Sequence, residues 1–181
     1  GLLLSGAVWA VAVVGTTAVA DRALAFAFHR LIFLAVAAAA ISLFIFALRF
    51  GDRRDIVTWR TFVVLLIEPT LFLGFLVTAP DHGLVWSEMT RTATGTFATT
   101  DGPIFWAHVV YSYLLAIAGL TVMLRRAIQA RGIALSQFVV VVVALVFPMG
   151  TGVFDLVVPG TLNLTPIALT VTGLVLLLAT D

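Results

Sequence analysis

A chain of 181 residues that is 62% hydrophobic, 10% charged and near neutral at a net charge of +1, with a mean hydropathy of +1.18, carries far more apolar sequence than a soluble domain of that size needs. It is read as an integral membrane protein, with no charge excess to suggest nucleic acid as a partner. The absence of cysteine removes disulfides, iron–sulfur ligation and thiol chemistry. All ten basic residues are arginine, so no lysine amine is available for a retinal or pyridoxal phosphate Schiff base.

Allowing roughly 20 apolar residues per crossing, the pattern predicts six spans, at residues 2–20, 23–50, 58–79, 103–124, 134–158 and 165–179. Together they form an all-α, polytopic transmembrane helix bundle, one domain over 1–181. The first span has small residues (Gly6, Ala10, Gly15) that permit close helix approach. Asp21 and Arg22 break the apolar run, and the long second span carries His29 and Arg30 near its start and alanines at 37–40. An inner loop at about 51–57 leads to the third span, which holds Glu68 followed by Pro69. Proline inside a helix removes the hydrogen bond to the carbonyl four residues back, here Leu65, and makes Pro69 a hinge candidate. A loop at about 80–102 is threonine-rich, with Thr90, Thr92, Thr94, Thr96, Thr99 and Thr100 near-alternating around Gly95. It is compatible with a small hairpin or with a flexible connector.

The fourth span opens with helix-start chemistry, Gly102 as N-cap and Pro103 at the first helical position. Trp106 then falls at the level of an interface aromatic. His108, Tyr111 and Ser112 follow at spacings that share one helical face. A second inner loop covers about 125–133. The fifth span contains Pro148 and Gly150. Pro148 frees the carbonyl of Ala144 and is the second hinge candidate. The valine run at 139–143 would suit a strand, but an isolated strand leaves its backbone unpaired in lipid, so helix is retained. Thr165 as N-cap and Pro166 open the last span.

Arginine excess marks the cytoplasmic side. The loop from Arg49 to Arg60 holds four arginines and that from Arg125 to Arg131 holds three, so both are placed inside. The 80–102 loop and the loop around Pro159 are placed outside. The chain is thereby expected in the cell membrane, multi-pass in the lipid bilayer, with its C-terminus cytoplasmic. Asp181 then ends at the inner surface, where an output domain would follow.

In that orientation His29, Arg30, His108, Tyr111, Asp155 and Asn163 fall in the outer half. Glu68, eleven residues before Ala79, lies roughly 16 Å down the third helix as a floor. Ionisable residues inside a membrane point by default to a functional site. The expected pocket for a small ligand or stimulus comprises Glu68, His108, Tyr111, Ser112, Arg30, His29 and Asn163. The competing reading is interhelical glue, with Glu68 protonated or paired to Arg30 or His108; Tyr111 and Tyr113 would pack, Asn163 and Thr165 would cap, and Arg30 would reach the headgroups. If His29 or His108 takes part, an external pH near 6 is a candidate signal, since histidine titrates there. His29, His82, His108, Glu68 and Asp81 show no metal-ligand spacing, and no nucleophile, phosphate loop or carboxylate pair suggests catalysis or a cofactor. A proton or small-solute transporter is the alternative reading. It needs a polar path to the inner face, and residues 63–67, 114–120 and 138–143 are almost wholly apolar.

Several stretches taken together resemble the seven-helix membrane sensor domain at the N-terminus of bacterial and archaeal histidine kinases. The match is carried by Gly102-Pro103, Phe105-Trp106, His108 and Tyr111-Ser112-Tyr113; by Glu68-Pro69; by Thr78, Pro80, His82 and Trp86; by Gln137 and Pro148; and by Leu164-Thr165-Pro166 with Gly173. Ala79 stands where that family has asparagine, Asn163 where it has aspartate, and Ser136 where arginine often precedes the glutamine. The resemblance implies a first helix before Gly1, a kinase after the last helix, and a homodimer formed through that kinase. The arginine-only, Ala/Val/Thr-rich composition is similar to that of haloarchaeal proteins. On this basis the chain is expected to be the signal-sensing input domain of a two-component sensor histidine kinase.

Overall fold

Helix α1 (Leu2–Ala18) turns directly into α2 (Arg22–Phe50), and the turn is fixed by Asp21, whose carboxylate accepts the Leu24 amide at 2.8 Å. That N-cap satisfies one of the donors a helix start leaves unpaired, and it draws Arg22 into the helix. In this computed structural model residues 1–91, 97–129, 133–157 and 164–180 are described; Asn163 and Arg131 lie outside them. Helix α2 ends in Gly51, with Asp52 in the left-handed region at φ 62° and the Arg53 amide reaching back to the Leu48 carbonyl at 2.8 Å. This is the six-to-one closure of a Schellman cap. A 3₁₀ turn (Arg54–Ile56) then leads into α3 (Trp59–Val77), opened by a reciprocal capping box between Thr58 and Thr61.

A one-turn helix α4 (Ala79–His82) and an antiparallel hairpin, β1 (Trp86–Arg91) and β2 (Phe97–Asp101), fill the segment between α3 and α5 (Pro103–Gln129). The described flanks of the threonine-rich loop pair as the hairpin alternative expects; residues 92–96, Gly95 among them, lie outside the described residues. Gly102 sits between hairpin and helix with its amide on the Val85 carbonyl at 2.8 Å, and a Cβ there would lie 2.3 Å from the Leu84 oxygen. Close backbone approach, in addition to capping, requires glycine at this position. The chain continues as α6 (Ile133–Val157) and α7 (Thr165–Thr180). Helices α3 and α6 run unbroken through Pro69 and Pro148.

Among the described residues six long helices therefore stand where six spans are predicted. Four of them are long and apolar enough to cross a bilayer, while α1 and α7, with 17 and 16 residues, are shorter. The chain is a multi-pass membrane protein whose apolar exterior (Val64, Leu71, Leu114, Val143, Leu178 among others) faces lipid. Helices α1 and α2 run antiparallel, as do α3 and α5 and α6 and α7, for residues later in one helix of each pair meet residues earlier in the other; α2 packs on α1, α3 and α5. The small residues of α1 serve that packing: Gly6 meets Leu169 and Thr170 of α7, and Gly15 meets the Phe28 ring of α2. One buried cluster joins α2, α5, α6 and α7 through Ala47, Met123, Val141 and Leu169. A second, at the hairpin end, joins α3, the hairpin and α5 through Phe72, Leu76, Val85, Trp86 and Phe105.

Candidate functional site

Helix α3 lies at the rim of the bundle, and its buried residues Leu65, Pro69, Phe72 and Leu76 form one stripe. That spacing is the inward face of a helix whose other sides meet lipid. Glu68 flanks the stripe and turns toward α5. Its carboxylate oxygens lie 2.9 and 3.2 Å from Nδ1 of His108. His108 is only 1% exposed and the Glu68 side chain 28%. In the tautomer that carries its hydrogen on Nδ1, His108 donates to these oxygens. Nε2 is buried with no partner. The imidazole is held flat: Phe72 stacks on it at 4.0 Å and 12°, and Phe33 meets it edge-on at 6.4 Å.

One turn along α5, the Tyr111 hydroxyl donates to the Leu65 carbonyl at 2.6 Å. Leu65 is the residue whose carbonyl Pro69 deprives of its helical donor. Residues 108 and 111 of α5 thus hold residues 68 and 65 of the antiparallel α3, a two-point polar clamp between a rim helix and the bundle. In lipid an unpaired carbonyl costs several kcal/mol. The freed oxygen therefore binds the two helices together while the bond lasts.

The same solution occurs at the other proline. Thr172 of α7, 0% exposed, donates its hydroxyl to the Ala144 carbonyl of α6 at 2.6 Å, the oxygen freed by Pro148. Thr172 does not stand out in sequence. Proline identifies the orphaned carbonyl, but only helix pairing identifies the donor.

The remaining expected site residues divide among other places. Arg30 does not pair with Glu68 or reach away from the protein; its Nη2 donates to the Val77 carbonyl at 3.0 Å. A cation on the last carbonyl of α3 complements the negative end of the helix dipole. His29 packs edge-on to Trp86 at 5.6 Å and beside Phe33 at 6.3 Å, with Nδ1 buried and unpaired. Ser112 lines a separate cavity between helices, with its Oγ buried and unpaired. It shares a turn with His108 but not the α3-facing side. Asn163 lies outside the described residues. Glu68, His108 and Tyr111 are the expected residues that converge.

His82 has a structural part that sequence alone did not assign. Its Nδ1 accepts the Leu84 amide at 3.0 Å, which leaves the hydrogen on Nε2 to donate to the Thr78 hydroxyl, also at 3.0 Å. Thr78 in turn donates to the Gly74 carbonyl at 3.1 Å. This chain of bonds ties the hairpin end to the last turn of α3. Among the described residues no three His, Asp or Glu side chains gather in a way that could hold a metal ion.

No curated protein and no solved structure matches the chain. The family described as the N-terminal 7TM region of histidine kinase matches residues 1–180. That match runs from the first residue of α1 through α7 and takes in the α3–α5 clamp, the hairpin and both proline helices. The chain belongs to the family of N-terminal 7TM regions of histidine kinases.

Proposed function

We propose that this domain is the signal-receiving input of a two-component sensor histidine kinase and that the Glu68–His108 pair is where the stimulus acts. The observation that carries the reading is the asymmetry of the pair: a nearly sealed histidine held at 2.9 Å by a carboxylate that is itself partly exposed at the bundle rim. A stimulus that alters the charge or contacts of Glu68 acts on one partner and is felt by the other. It then favours one arrangement of α3 against α5 over another, as any ligand-driven change requires.

Orientation follows from the arginines. The structure supports placing the two arginine-rich loops at one end, since Arg126 of α5 lies 3.8 Å from Asp52. Arginine excess assigns that end to the cytoplasm. The hairpin and the pair then lie toward the outside, and α7 runs inward to the kinase. Motion of α3 reaches α7 through α5 and α6, whose proline-freed carbonyl is held by Thr172. A homodimer formed through the kinase completes the arrangement.

The test is Glu68→Gln in the full-length kinase. The amide keeps the volume and a weaker hydrogen bond but loses the charge, so insertion and abundance should stay near wild type while autophosphorylation no longer responds to conditions. Unchanged kinase output in a correctly inserted variant would overturn the proposal.

A further inference from the structure

A second feature of the bundle is independent of the Glu68–His108 pair. Between α1, α2, α5, α6 and α7 lies a cavity of about 110 Å³. It extends from Thr165, at the start of α7, toward mid-bundle. Its wall is mainly aliphatic (Val36, Leu43, Leu169) and includes Pro148 and Gly152, with no charged side chain. Four lining residues carry a side-chain hydroxyl or N–H: Tyr113 donates its hydroxyl to the Met149 carbonyl at 3.3 Å, Thr165 lies at the α7 start, and Trp9 and Ser112, on different helices, each have a buried, unpaired polar atom, the indole Nε1 and the hydroxyl Oγ.

A buried donor without a partner is costly, and more so where lipid replaces water around the protein. A few waters fit such a volume, but each needs two to four polar partners and most of this wall offers none. Apolar cavities of about 150 Å³ take up benzene-sized molecules. The indole N–H can only donate, so its partner must accept; the hydroxyl can do either. The absence of charge in the wall excludes an ionic occupant.

We propose that this cavity is a binding site for a small, uncharged, mainly apolar molecule that presents one acceptor oxygen to Trp9 and Ser112 and enters from the bilayer. Its occupant lies against Pro148 and the first turn of α7, on the side of α5 away from α3. It is therefore a separate site from the clamp, and its binding does not depend on the input reading.

The experiment uses the full chain in phosphatidylcholine nanodiscs, with cyclohexanone as probe and methylcyclohexane as the matched molecule lacking an oxygen. The readout is the indole N–H resonance of Trp9, identified by its loss in Trp9→Phe. Cyclohexanone should shift it saturably and methylcyclohexane should not. Ala116→Leu, which fills the cavity, should abolish the shift. Ser112→Ala, which keeps the volume, should weaken cyclohexanone by about threefold, the size of a typical interhelical hydrogen bond. It provides the decisive comparison if the leucine variant does not fold. No saturable shift, equal shifts from both molecules, or undiminished binding in both variants would overturn the site.

Discussion

Two prolines and two hydroxyls set the residue-scale chemistry. Pro69 and Pro148 each release a carbonyl, and Tyr111 and Thr172 each take one up at 2.6 Å from a neighbouring helix. Interhelical hydrogen bonds within membranes average about 0.6 kcal/mol, with values up to about 1.7. Tyr111→Phe should therefore destabilise the domain by about 1 kcal/mol, measured by reversible unfolding in mixed micelles. In a Pro69→Ala background the restored helical N–H satisfies Leu65, and the same change should cost close to nothing. Equal costs in both backgrounds would show that the Leu65 bond is not what Tyr111 contributes. Thr172→Val should cost about 1–2 kcal/mol, because Ala144 is then left unpaired in a buried place. Sequence reading reaches the two orphaned carbonyls, since the four-residue offset is local, and places Tyr111 on the face of His108. It does not reach Thr172, nor the capping of Val77 by Arg30, because those partners are chosen by how helices lie against one another.

At the scale of elements, what decides each segment is how tightly its ends are tied. Gly102 has the Leu84 carbonyl at 2.3 Å from a would-be Cβ, whereas Gly74 of α3 has nothing within 4 Å. Gly102→Ala must displace backbone and should cost about 1–3 kcal/mol, as overpacking does. Gly74→Ala should be neutral or stabilise by up to about 1 kcal/mol through helix propensity. A thermal-unfolding comparison of the two variants tests the hairpin junction against its own control. Asp52 is the other informative position. It holds the left-handed site of the α2 cap at φ 62°, a conformation natural to glycine, and its ion pair with Arg126 is exposed and worth little. Asp52→Gly should leave stability unchanged or raise it by up to about 1 kcal/mol; a clear loss would mean that the ion pair matters more than the backbone strain. The start of α5 at Gly102-Pro103 is legible in sequence because proline at a first helical position is a local signal, whereas the caps at Asp21 and Thr58 emerge only from the structure. The end of α5 is less legible than its start: it continues to Gln129 through Arg125 and Arg126, since charged residues end an apolar run without ending a helix.

For the molecule as a whole, lipid explains both what sequence shows and what it conceals. The bilayer demands long apolar helices with internally paired backbones, so the number and order of helices follow from hydropathy alone. The same solvent erases the contrast between a helix's packed and exposed faces, because both are apolar. Which helices touch is therefore set by small residues, aromatic packing and a few polar bonds. The seven expected pocket residues accordingly separate into a clamp (Glu68, His108, Tyr111), an aromatic-packed histidine (His29), a helix cap (Arg30) and a cavity wall (Ser112), with Asn163 outside the described residues. The central claim is that Glu68 and His108 act as one signalling unit. The most direct measurement is a double-mutant cycle of Glu68→Gln and His108→Gln on autophosphorylation by the full-length kinase in nanodiscs, with unfolding followed in parallel. The account predicts that each single change shifts the rate and that the double variant moves no further than the larger single. Wild-type rates in both folded single variants, or effects that simply add, would contradict it.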